Sequence, residues 1–90
     1  MMKQQIPVHA KVHAWGEGFN SSVDIFVRRN YVLYDIFVAF PGYEEEQCIA
    51  SGVTEYEIFS EIMKSLAYSC RGRNVQQINI TWDYEEVSDS

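Results

Sequence analysis

The sequence predicts an α+β fold, a two-layer sandwich. A mainly antiparallel sheet of four or five strands, in the order β-β-β-(β)-α-β, carries one helix packed on one face. Three observations predict it. Several segments alternate apolar and polar residues with a period of two, as half-buried strands do. One stretch has a helical start signal followed by apolar residues at helical spacing. And 90 residues hold one hydrophobic core, so these elements belong to one domain.

The first strand sets Ile6, Val8, Ala10, Val12 and Ala14 on one face against His9, Lys11, His13 and Trp15 on the other. Turn residues from Gly16 to Ser21 end it. Two runs rich in β-branched and aromatic residues follow, and both contain Asp-Ile-Phe-Val, at 24–27 and 35–38. They read as strands of the same sidedness. Val23, Ile25 and Val27 point inward on one; Val32, Tyr34, Ile36, Val38 and Phe40 point inward on the next. A hairpin loop at Arg29-Asn30 joins them, Asn30 tolerating positive φ. That loop sets Asp24 opposite Asp35, a like-charge pair costing up to ~1 kcal/mol, so a register shifted by one or two residues competes with it.

Pro41-Gly42 breaks the third strand, Tyr43-Glu44-Glu45-Glu46 forms a charged loop, and Gln47–Ser51 offers a short edge strand. Thr54 then serves as a helix N-cap, with Glu57 completing a capping box and Val53 and Ile58 a hydrophobic staple. The helix runs to about Cys70. Phe59, Ile62, Met63, Leu66 and Cys70 form its apolar stripe; Glu57, Ser60, Glu61, Lys64 and Ser65 form its wet side. Gly72 fits the C′ position, and Arg71 and Arg73 face the negative end of the helix dipole. In the last strand Ile78, Ile80, Trp82 and Tyr84 alternate with Gln77, Asn79, Thr81 and Asp83. A right-handed crossover through the helix is expected to lay it parallel to the first strand, an order that resembles the start of ribonuclease-H-like folds. Residues 1–84 form the domain, and 85–90 an acidic flexible tail.

Composition narrows the function class. Hydrophobic residues at 47% and charged ones at 22% exclude a disordered chain, a coiled coil and a collagen-like rod. Thirteen acidic and seven basic side chains give a net charge of -6, which argues against general binding to nucleic acid or anionic membrane. Met1–Gln5 leads into Ile6-Pro7-Val8-His9, which is not a secretory signal, and Tyr31–Pro41 falls far short of the ~20 residues that span a bilayer. The expected location is the cytoplasm. Cys48 and Cys70 are too far apart for a zinc pair and read as buried small apolar residues.

No catalytic, cofactor or metal site is expected, and the chain does not read as an enzyme. His9 and His13 on a strand lie ~13 Å apart at ~3.3 Å per residue, too far to share one metal ion. Cys70 lies at the helix C-terminus, where the field disfavours a thiolate. Gly16-Glu17-Gly18 lacks the third glycine and following helix of a phosphate loop, and no G-x-S-x-G elbow occurs.

Surface remains. The face away from the helix presents Trp15, Phe26, Arg28, Tyr31, Leu33 and Phe37, residue types enriched in interface hot spots. The competing arrangements fold the Tyr43–Ser51 segment over this face, or bend the strands so that both sides are buried. Charge divides along the chain: residues 1–42 sum to +1 and residues 43–90 to -7. Glu44, Glu45, Glu46, Glu57 and Glu61 are therefore the candidates for steering a partner with a basic surface. Phe40-Pro41-Gly42, with Gly52-Val53-Thr54-Glu55 opening a helix, resembles the HicB-type antitoxin core over about twenty residues, without that family's spacing. The function expected is a non-enzymatic protein-interaction module. It would be a small acidic stoichiometric inhibitor of the immunity, antitoxin or phage antidefence kind, binding a protein partner or itself as a homodimer. The alternative is single-stranded nucleic acid, with Trp15, Phe26 and Phe37 stacking bases and Lys11, Arg28 and Arg29 meeting phosphates.

Overall fold

A computed structural model describes residues 4–87 as a five-stranded sheet with one helix against it. The elements are β1 (Gln4–Gly16), β2 (Phe19–Asn30), β3 (Leu33–Ala39), β4 (Gln47–Val53), a 3-10 turn (Glu55–Glu57), α1 (Ile58–Ser69) and β5 (Val75–Val87). Spatial order is β4-β3-β2-β1-β5, and every neighbouring pair is antiparallel. This is the expected α+β sandwich, with one correction: β5 runs antiparallel to β1. The cause is β4. As a full strand it reverses the chain once more before the helix, so the return through α1 delivers β5 in the opposite direction. The ribonuclease-H-like order is lost with it.

One loop is shorter than expected and another is displaced. Glu17-Gly18 alone turns β1 into β2, with Gly18 at φ +83. Gly16 beside it allows a close approach, because a Cβ there would lie 1.9 Å from the Asn74 carbonyl oxygen. The β2–β3 turn is at Tyr31-Val32, two residues beyond the expected Arg29-Asn30, and Tyr31 takes φ +60. The register explains the shift. It sets Arg28 opposite Asp35 and Phe26 opposite Phe37, where the earlier loop opposed two aspartates. Val32, expected inward, is 78% exposed in that turn.

Pro7 lies where β1 has passed the end of its pairing with β2, and a register shift against β5 follows it. Both are positions that tolerate a residue without an N–H. β5 continues through Val87, so the strand takes in the first residues of the expected tail; residues 88–90 lie outside the described ones.

The core is aliphatic apart from Tyr34. Ile6, Ala10, Val12, Ile25, Val27, Tyr34, Ile36, Val38 and Val53 from the sheet meet Ile58, Ile62 and Leu66 from α1. The helix stripe differs from the expected one, since Phe59 and Met63 are 42% and 51% exposed. α1 packs over β3 and β4, so Ile58, Ile62 and Leu66 point down while Phe59 turns toward Trp82 of β5. The helix start forms as expected: the Glu57 carboxylate accepts from the Thr54 hydroxyl at 2.7 Å and the Thr54 N–H at 3.3 Å. Cys70 is the C-cap, placing Gly72 (φ +77) one residue past C′. A helix of 12 residues is ~18 Å long, whereas β1 and β5, of 13 residues each, extend ~43 Å. One helix therefore covers less than half the length of its sheet. No helix among the described residues is long and apolar enough to cross a membrane.

Candidate interaction surface

Strand alternation puts the residues between the core positions on the face away from α1. Register then decides which of them meet. One cross-strand row runs Asp83, His9, Phe26, Phe37 and Cys48 through β5, β1, β2, β3 and β4. No element covers this face among the described residues; the proposed cover, Tyr43–Ser51, instead runs from Gln47 on as the strand β4 at the sheet's edge.

Phe26 and Phe37 are half-buried there without a second layer. Neighbours shield them. The Arg28 guanidinium stands 5.5 Å from the Phe26 ring centre and 4.8 Å from that of Phe37, and the His9 ring lies 5.0 Å from Phe26. Arg28 is held from the rim. It donates to both carboxylate oxygens of Glu46, the second contact at 2.8 Å, and these hydrogen bonds, with its charge, hold the Glu46 carboxyl below the usual range. The acidic loop thus borders the aromatic cluster.

His9, expected to face solvent, is a bridge across three strands. Its Nδ1 lies 2.8 Å from Asp83 Oδ2, and its Nε2 lies 2.8 Å from Asp24 Oδ1. A neutral imidazole has one N–H, so donating to both carboxylates requires the imidazolium. Asp83 first, and then Asp24, raises the His9 pKa above its ordinary 6.5. As the imidazolium, His9 carries no lone pair on either ring nitrogen. Asp35 accepts from the Gly52 N–H at 3.1 Å and from Asn30 at 3.3 Å.

The other predicted residues scatter. Trp15 lies opposite Asn20, six positions along β2 from Phe26, a separation of ~20 Å at ~3.3 Å per residue. It packs on His13, ring centres 4.7 Å apart, as a second and smaller cluster. Leu33 is half-buried opposite Asn30, and Tyr31 is 90% exposed at the turn beyond it. The carboxylates also divide. Glu44 and Glu45 lie exposed before β4, whereas Glu57 and Glu61 follow it, ~20 Å away at ~3.3 Å per residue. Glu57 is occupied at the helix cap, where the Thr54 hydroxyl and N–H lower its pKa, and Glu61 pairs with Lys64 at 3.3 Å. The contiguous surface is therefore Phe26, Phe37, Arg28, His9 and Glu46, with Glu44 and Glu45 at its rim.

Cys48, expected to be buried, is exposed, its thiol 3.4 Å from the Ala50 carbonyl; Cys70 is half-buried. Sequence reasoning missed the His9 bridge. Its partners come from positions 24 and 83, and only strand order brings them together. Comparison with protein-family models, curated proteins and solved structures finds no match to this chain.

Proposed function

We propose that this chain is a non-enzymatic interaction module, a small acidic protein that binds one partner stoichiometrically and masks a basic surface on it. One observation carries the reading: the uncovered Phe26–Phe37 pair, clamped under Arg28 and rimmed by Glu44, Glu45 and Glu46. An aromatic centre beside a charged rim is the build of a protein interface, the centre providing affinity and the rim the rate of encounter. The net charge of -6 supports a basic partner. Nucleic acid fits this face less well, because Asp24, Asp35, Asp83 and Glu46 share it with the cationic groups, and Arg28 is already neutralised.

The test is affinity capture from the native host with wild-type protein, Phe37→Asp and Arg28→Glu, each checked for folding by circular dichroism. Wild type should retain one basic protein at equimolar amount, and both variants should lose it. Glu44→Gln with Glu45→Gln should slow association at low salt and leave dissociation unchanged. Capture that survives both face variants sinks the reading. Single-strand affinity that falls steeply with ionic strength would place nucleic acid on this face instead.

A further inference from the structure

The sheet has two edges, and they differ. β4 is seven residues long, has two register shifts against β3, contains Gly52 and follows three glutamates. These features blunt an edge. β5 is 13 residues long, and its stretch Val75 to Trp82 holds no charge and no proline. Its far side pairs with no strand among the described residues. Alternation sets Ile78 (39% exposed) and Tyr84 (47%) on the side of Trp82, which Phe59 of α1 (42%) also reaches. Phe59 meets Trp82 edge-on, ring centres 4.9 Å apart, and so adjoins the apolar strip of Ile78, Ile80, Trp82 and Tyr84 along this edge.

We propose that β5 pairs with β5 of a second copy, antiparallel about a two-fold axis at Thr81, giving a closed dimer with one continuous ten-stranded sheet. The sequence of β5 is complementary to its own reverse about that residue. On the helix side Ile80 meets Trp82 of the second copy, and Ile78 meets Tyr84 of the second copy. Every apolar position of the strip is thereby matched with an apolar one. On the outer side Asn79 meets Asp83 and Gln77 meets Glu85 of the second copy, so an amide that can donate faces each carboxylate. Moving the axis to Ile80 sets Tyr84 against Gln76; moving it to Trp82 sets Ile78 against Glu86. A parallel pairing in register opposes Asp83 to Asp83 and Glu85 to Glu85. Charge and apolar pattern thus select one occupant and one register.

Even residues meet even ones, so both helices stand on the same side of the joined sheet. The Phe59 side chains of both copies then border a shared apolar strip. This edge does not use the Phe26–Phe37 cluster, so dimer formation and partner capture fail independently.

Light scattering at micromolar concentration should give twice the mass of the 90-residue chain for wild type and for Phe37→Asp. Ile78→Glu with Tyr84→Glu, both at exposed positions, should give the monomer mass with an unchanged circular dichroism spectrum. A second measurement fixes the register. In a Cys48→Ser, Cys70→Ser background, Thr81→Cys should cross-link two copies under mild oxidant, because cross-strand Cα atoms ~4.5–5.5 Å apart accept a disulfide. Gln77→Cys should not. A monomeric wild type, open-ended polymers, a dimer that survives the double glutamate variant, or stronger cross-linking at position 77 than at 81 overturns the proposal.

Discussion

The two faces of this sheet are made from alternate residues of the same strands, yet they achieve burial by opposite means. Toward α1 the fully buried side chains are Ile25, Ile36, Ile58 and Ile62, all aliphatic and without a polar atom to satisfy. On the outer face the described residues form no second layer, and order comes from pairs: Phe26 with Phe37, Arg28 with Glu46, His9 with Asp24 and Asp83. The first kind of burial is dry and depends on volume. The second is wet and depends on charge state, salt and alignment. Cohesion therefore concentrates on one face, and adaptable recognition chemistry on the other.

Substitutions sharpen that contrast. Ile62→Ala opens a cavity in the dry layer and should lower stability by ~2–5 kcal/mol, read as an earlier urea midpoint. Phe37→Ala removes a larger side chain from the outer face but should cost only ~1–2 kcal/mol, since a half-exposed ring forfeits part of its transfer energy. Equal losses at the two sites would show that the outer face is as cohesive as the core.

A turn between the faces offers a gain. Tyr31 holds φ +60 with its side chain almost wholly in solvent, so Tyr31→Asn should raise the urea midpoint by the equivalent of up to ~1 kcal/mol. A lowered midpoint would mean that the tyrosine ring makes a stabilising contact that Asn cannot replace.

The smallest effect is in pH. His9 has a folded-state pKa above its ordinary 6.5, so its contribution is full below 6.5 and is lost as pH rises through the raised value. Glu57 and Glu46 are held below their ordinary 4.5, so theirs is full above 4.5 and is lost as pH falls through the lowered values. Melting temperature should thus peak in mildly acidic solution and decline toward alkaline pH. His9→Gln should flatten the alkaline decline and leave the acid limb in place. An unchanged decline in that variant would show that the bridge does not titrate as its geometry implies.

Much of the fold was legible in the chain because strand and helix periodicity are local. Val23, Ile25 and Val27 could be assigned inward from alternation, and Thr54 and Glu57 marked the helix start three residues apart. The outer face was legible as a list but not as a map. Trp15 and Phe26 share a face yet lie in separate clusters, and Glu46 and Glu57 share a charge yet stand at opposite ends of β4. A sequence states which side of a strand a residue takes. Its neighbours on that side depend on register, and one step in a hairpin loop changes all of them.

By itself the sequence determined the α+β class, the sidedness of the sheet, the helix and its cap, and the acidity of the second half. The tertiary structure decided the direction of β5, the placement of α1 over β3 and β4 that buries Ile58 and exposes Phe59, the triad of Asp83, His9 and Asp24, and the far side of β5, which pairs with no strand among the described residues. The division has a physical cause. Backbone periodicity is set within a few residues, whereas pairing energies arise between segments as far apart as positions 9 and 83, and only the closed sheet brings those into contact.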